Sequence, residues 1–138
     1  YVALQPHYNL VEREKFETEY ASLVEKYGLS AFPYWSLAAG FLTGKYRTEE
    51  DFEKTTRGGS IKKYFDDKGK AVLSALDKVS EKHQSQPATV ALAWLLANPL
   101  ITAPIVSATS ERQLQTIFDA PKLNLDSEDL EILDQASK

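Results

Sequence analysis

A chain of 138 residues, 43% hydrophobic and with a formal net charge of −4, has the size and apolar content of one globular domain, and its dispersed basic residues, with Lys62-Lys63 the only adjacent pair, argue against nucleic acid as a partner. The absence of cysteine excludes disulfides, thiol chemistry and thiolate-held metals, and two distant histidines argue against a histidine-based metal site. No apolar run approaches the ~20 residues of a membrane span and no signal peptide opens the chain, so no membrane partner and a cytoplasmic location are expected.

The first element is a short buried strand over residues 1–5 (YVALQ), stopped by Pro6, which cannot donate to a sheet ladder. Asn9 and Leu10 lead into a helix whose Phe16, Tyr20, Leu23, Val24 and Tyr27 form one apolar stripe, with Gly28 as its C-terminal stop. A second strand begins at about Ser30. Strand, helix and strand within some 35 residues read as a βαβ unit with parallel strands. The stretch 30–46 (SAFPYWSLAAGFLTGKY) has the form of a buried strand opening into a small-residue loop. Tyr34 and Trp35 place two π surfaces at the strand end, beside which Ala38, Ala39 and Gly40 leave room for a flat polar ligand such as a nucleotide. The same pattern also suits a strand with aromatic core residues and a glycine turn.

Residues 47–67 are polar and read as a long functional or mobile loop. Val72, Leu76 and Val79 mark an amphipathic helix over 68–83. Ser85 is expected to cap the next helix, with Pro87 in its first turn and 88–97 (ATVALAWLLA) apolar on nearly every side. The third strand is predicted at 101–107 (ITAPIVS). Ser110 and Gln113 then form an S-x-x-Q capping box opening a helix that carries Leu114, Ile117 and Phe118. Ser107, Thr109 and Ser110 surround free N–H groups there, an arrangement that suits either ordinary capping or an anion. Leu130, Leu133 and Ala136 lie on a last short helix that can cross the outside. Three parallel strands with helices between them make an α/β fold that cannot close by itself. The chain therefore reads as the latter part of a (β/α) barrel, which takes about 250 residues, and with no methionine and an opening inside a strand it is expected to lack its true start.

The blocks Leu4-Gln5-Pro6-His7-Tyr8-Asn9-Leu10 with Arg13, residues 33–46, residues 87–96 and residues 103–110 follow the order seen in the C-terminal portion of aldo-keto reductases, which the chain resembles over essentially all its length. Within that family the G-x-x-x-G-K-Y ending of the second block is most similar to bacterial members and to the potassium-channel β-subunit branch. The resemblance implies the C-terminal part of a (β/α)8 TIM barrel, with strands six to eight, their helices and a C-terminal helix in a single barrel domain over 1–138. It implies NADPH as cofactor, with Gln5 on the nicotinamide carboxamide and Tyr34 stacked on its ring. Leu37 and Ala39 line the pyrophosphate, Lys45 reaches the cofactor and Arg57 belongs to a clamp loop. Ser107, Thr109, Ser110 and Gln113 fall where the adenosine 2′-phosphate and ribose are held. Trp35 replaces the usual strand-end serine, and Thr116-Ile117 stands where a Glu-Asn pair often meets the adenine.

The family's catalytic Asp, Tyr, Lys and His lie on the first four strands, so no catalytic residue is expected in this chain. His7 and Tyr46 sit in no matching motif, and His7 is read as a satisfied residue of the barrel rim. The implied activity is NADPH-dependent reduction of aldehydes or ketones to alcohols. Its partners are a small carbonyl substrate and the missing N-terminal half of the barrel. The alternative is a nucleotide-sensing regulatory subunit like the channel β subunits.

Overall fold

A narrow parallel sheet covered by helices makes up the computed structural model, which describes all of residues 1–138. β1 (Ala3–Leu4) and β2 (Ser30–Ala31) pair in parallel, Ala3 opposite Ser30 and Leu4 opposite Ala31. Pro6 ends the regular strand as expected, but not the pairing. Its carbonyl accepts the Tyr34 N–H at 2.9 Å and His7 bridges Tyr34, because proline lacks only the donor half of a rung. The third strand, expected over 101–107, is reduced to one parallel bridge between Ala31 and Ile101 and to the Ile105 N–H on the Pro33 carbonyl at 2.8 Å. Pro6, Pro33 and Pro104 each delete a donor, and neither outer edge has a neighbour to straighten it, so the regular strands are shorter than the apolar runs that predict them.

The first helical stretch opens with a π-helical turn, Phe16–Tyr20, and continues as α1 (Ala21–Tyr27). Gly28 ends it at φ 60 and ψ 38. The Leu29 N–H reaches the Val24 carbonyl and the Gly28 N–H the Glu25 carbonyl, the paired bonds of a left-handed C-terminal stop. Of the predicted stripe, Phe16 and Val24 are buried, whereas Leu23 and Tyr27 face solvent.

The predicted loop over 47–67 is instead a run of single helical turns: α2 (Glu49–Glu53), α3 (Gly58–Ile61) and a 3-10 turn, Lys62–Tyr64. Thr48 and Asp51 form a reciprocal capping box on α2. Phe52, Ile61 and Tyr64 are buried, with Phe52 stacked on Tyr46 at 5.1 Å. Each turn is too short to show a helical period, which is why charge dominates the segment's appearance. Gly58 is required here: a Cβ on it would lie 1.6 Å from the Phe52 carbonyl oxygen.

α4 (Asp67–Lys82) is capped by Asp66, whose carboxylate accepts the Gly69 N–H at 2.8 Å, and it buries Val72, Leu76 and Val79. α5 (Pro87–Ala97) buries every residue from Ala88 to Leu95 and packs against α4 and α6 (Glu111–Asp119). Its N-cap is Gln86 rather than Ser85. The residue before a proline is driven to extended backbone, and that geometry is what an N-cap needs, so Pro87 at the first helical position selects its predecessor. α7 (Ser127–Ser137) lies along α4 with Leu133 buried. No helix is long and apolar enough to cross a membrane.

Two polar networks pin these helices. Asp129 of α7 has no exposed surface; it accepts hydrogen bonds from Lys82 Nζ at 2.8 Å and His83 Nε2 at 2.6 Å. Burial pushes its carboxyl pKa up, but the hydrogen bonds from Lys82, His83 and the Asp126 N–H outweigh that and hold it at about 2. Arg13 joins Glu17, Asp134 and Ser137 and lies over the Trp94 ring at 5.0 Å. Tyr8 donates to Glu17 at 2.9 Å. Its hydroxyl is raised above the ordinary tyrosine range by burial and by the Glu17 carboxylate.

Candidate functional site at the strand ends

The polypeptide leaves all three strand segments at one level, and two buried polar residues fasten them. Asn9 Nδ2 donates to the Trp35 carbonyl at 2.9 Å, while its Oδ1 accepts the N–H groups of Val11 and Glu12. The Ser36 hydroxyl stands 3.1 Å from the carbonyls of both Pro33 and Ile105. Asn9 therefore ties the first strand end to the second, and Ser36 ties the second to the third. Sequence reasoning passes over both as site-builders. The available signal is an amide or hydroxyl inside an otherwise apolar strand end, where an unpartnered polar group would cost about 1–3 kcal/mol.

The loop that follows is held in left-handed backbone at Trp35 (φ 55), Ala38 (φ 48), Ala39 (φ 53) and Gly40 (φ 101). Three of these are not glycine, and each costs roughly 1–2 kcal/mol relative to ordinary backbone. The small side chains keep the loop low. Gly40 lets the Lys45 side chain lie against it, since a Cβ there would meet Lys45 Cε and Nζ at 3.4 Å. Lys45 Nζ sits 5.0 Å from the Tyr46 ring and has no carboxylate partner.

Tyr34 and Trp35 are 40% and 41% exposed. His7 stacks on Tyr34 with ring centroids 5.1 Å apart and planes at 22°, and meets Trp35 edge-on at 5.5 Å. Contrary to the expectation of a satisfied rim residue, His7 Nε2 is buried without a hydrogen-bond partner. Burial lowers the His7 pKa; Glu12 opposes this and Lys63 adds to it.

Gln5 stands exposed beyond β1 on the strand whose continuation bridges Tyr34, and Leu37 and Ala39 lie in the loop that follows Tyr34. The carbonyl of half-buried Leu37 accepts the Gly40 and Leu42 N–H groups. At α6, Ser110 caps by accepting the Gln113 N–H at 3.2 Å. The box closes one residue earlier than expected, since Gln113 Oε1 accepts from the Thr109 N–H at 2.7 Å and from its hydroxyl. This leaves the Gln113 amide NH2 free to donate. Ser107 is exposed, and the N–H groups of Glu111 and Arg112, at the first helical positions, have no intrahelical acceptor. Arg57 stands apart, N-terminal to α3, its carbonyl accepting from Ser60. No hydrogen bond or ion pair ties it to the strand ends.

These groups suit a dinucleotide. Tyr34 offers a flat ring, Gln5 a primary amide, the loop 37–40 closely approachable backbone, and the α6 N-terminus unpaired donors beside the cation of Arg112.

The whole chain, residues 1–138, matches the model of the aldo/keto reductase family. A protein of Schizosaccharomyces pombe named as a voltage-gated potassium channel subunit beta is 33% identical over 119 residues, 82% of this chain and 35% of that protein. The Bacillus subtilis oxidoreductase YrpG is 31% identical over 132 residues, 96% of this chain and 39% of YrpG. The chain thus spans well under half the length of these curated relatives. Among solved structures, a thermostable aldo-keto reductase in complex with the inhibitor epalrestat has the same fold, with a TM-score of 0.67 at 20% identity over 96% of this chain and 38% of that one. The strand-end loops and helices described above thus sit in an α/β fold similar to that of the solved aldo-keto reductase, and the chain belongs to the aldo/keto reductase family.

Proposed function

We propose that these residues form the cofactor-binding portion of an NADPH-dependent oxidoreductase that reduces aldehydes or ketones to alcohols in the cytoplasm. The observation that carries this reading is the exposed Tyr34 ring, on the segment paired with the one that carries the exposed Gln5 and shortly before the small-residue turn Ala38-Ala39-Gly40. In this reading Tyr34 stacks on the nicotinamide and Gln5 holds its carboxamide. Leu37 and Ala39 present backbone to the pyrophosphate, and Lys45 and Arg57 supply positive charge. Ser107, Thr109, Ser110 and Gln113 bind the 2′-phosphate and ribose. The bound cofactor supplies the hydride; this chain's residues orient the ring that delivers it. The proton for the carbonyl oxygen comes from outside these residues, from the N-terminal part of the barrel.

That part is also what covers the open edges. Leu23 and Tyr27 of α1 are exposed with Tyr1 and Val2 at one edge, and Ile105, Leu114 and Phe118 at the other. Apolar surface of this kind on both flanks of a sheet calls for neighbours. Fluorescence titration of the whole protein with NADPH, followed by turnover of a panel of aldehydes, tests the proposal; absence of binding overturns it. The relative named as a channel subunit favours a second reading, a nucleotide-sensing subunit. NADPH binding without turnover of any carbonyl would select it.

A further inference from the structure

We infer that His7 is a positioning residue for the cofactor, acting through Tyr34; this rests on the reading of Tyr34 as the nicotinamide platform. Stacking by His7, with centroids 5.1 Å apart and planes 22° from parallel, covers one face of the tyrosine. The ring's 40% exposure then belongs to what His7 leaves open. Rotation of Tyr34 about its side-chain bonds is resisted from behind by the imidazole. Trp35, edge-on to the same imidazole at 5.5 Å, holds His7 in turn. The backbone bridge between His7 and Tyr34 sets the spacing of the two Cα atoms, which brings the rings within stacking distance.

Within these residues the imidazole Nε2 has no hydrogen-bond partner, so the contacts that hold His7 here are the stacked and edge-on ones its ring makes with Tyr34 and Trp35. Glu12 and Lys63, the charged groups nearest in effect to His7, pair with each other at 3.3 Å and leave the imidazole to its aromatic neighbours.

The test is an NADPH titration of the full-length protein and of four variants: His7→Ala, His7→Phe, Tyr34→Ala, and His7→Ala with Tyr34→Ala. Aromatic pairs contribute enough that His7→Ala should weaken binding about 5-fold. His7→Phe should restore affinity to within about 1.5-fold of the parent. The double variant should bind no worse than Tyr34→Ala alone, because His7 has no other route to the cofactor; a merely structural role would leave the two losses additive. If His7→Ala fails to fold, His7→Leu keeps the volume without the flat ring and should show the same loss. Wild-type affinity in His7→Ala while Tyr34→Ala binds weakly overturns the inference and leaves the proposed function standing. Unchanged affinity in Tyr34→Ala overturns the proposed platform itself. Equal losses in His7→Ala and His7→Phe would assign the effect to the ring nitrogen and overturn the stacking role.

Discussion

Every buried polar side chain in the layer formed by α4, α5 and α7 has a partner within these 138 residues, whereas at the strand ends Gln5 and Ser107 have no side-chain partner and His7 Nε2 is buried alone. Ser80 donates to the Asp77 carbonyl, Thr89 to the Thr116 carbonyl and Ser137 to the Leu133 carbonyl, and Asp129 is held by Lys82 and His83. The apolar side chains divide in the same way: α5 buries eight consecutive residues, while α6, which follows the third strand, buries none. A helical layer satisfies its backbone internally, and here its buried side chains find partners on the same helix (Ser80, Ser137) or on a neighbouring helix (Thr89, Asp129). A parallel sheet needs strands distant in sequence, and its open strand ends leave polar groups without partners among these residues.

The sharpest way to break this contrast is to express residues 1–138 alone. The helical layer should still form, but no NADPH-dependent carbonyl reduction is expected, since general acid–base catalysis supplies ~10²–10⁴-fold of rate and the proposed proton donor lies elsewhere. The open edges should make the chain self-associate in analytical ultracentrifugation. Robust turnover by a monodisperse monomer would show that the catalytic groups must be sought among His7, Tyr8 and Tyr46.

Asp129→Asn attacks the satisfied layer. Leaving Lys82 and His83 without their buried carboxylate should lower unfolding stability by about 3 kcal/mol in urea titration, with NADPH affinity of the folded protein unchanged. The pH dependence follows from the sign of the shift. With its folded pKa at about 2, below the ~3.9 of an unfolded aspartate, Asp129 contributes stability that is fully present above about pH 4 and is lost as pH falls toward 2. The variant should lose less stability over that window than the parent. The acid dependence should shrink without vanishing, because Asp51, held at about 2 by the N–H groups of Arg47 and Thr48, titrates over the same range.

Tyr34→Ala attacks the open face. Base–aromatic stacking is worth roughly 1–3 kcal/mol, so NADPH binding should weaken by ~5- to 150-fold with the urea midpoint little changed. A lowered midpoint with unchanged affinity would make Tyr34 a core residue and erase the contrast. Arg112→Ala is the mildest test. An exposed cation contributes at most about 1 kcal/mol, so the preference for NADPH over NADH should fall by no more than about 5-fold. Equal affinity of the parent for both cofactors would make the hydroxyls at the start of α6 caps and nothing else.

Legibility follows the range of the interactions. The apolar periodicity of α4, the all-round apolar α5, Gly28 as a left-handed stop and Ser110 as a cap are set within a few residues, so the sequence displays them. The turns α2 and α3 were hidden because a single turn has no period, although Thr48-x-x-Asp51 was there to be read as a capping box. Asn9 and Ser36 were hidden for a different reason. Each looks like a loop polar group until the strands are side by side, and Ser36 acquires its acceptor on Ile105 only across 69 residues of chain.

By itself the sequence determined the helices longer than a single turn, the parallel direction of the strand pairing, and the residue types offered at the strand ends. Only the tertiary structure decided where pairing stops, that His7 backs Tyr34, and that Gln113 grips Thr109 rather than Ser110. The physical reason is that propensity and capping are nearest-neighbour effects, whereas the length of a strand and the orientation of a ring are set by groups that meet only after the chain has returned on itself.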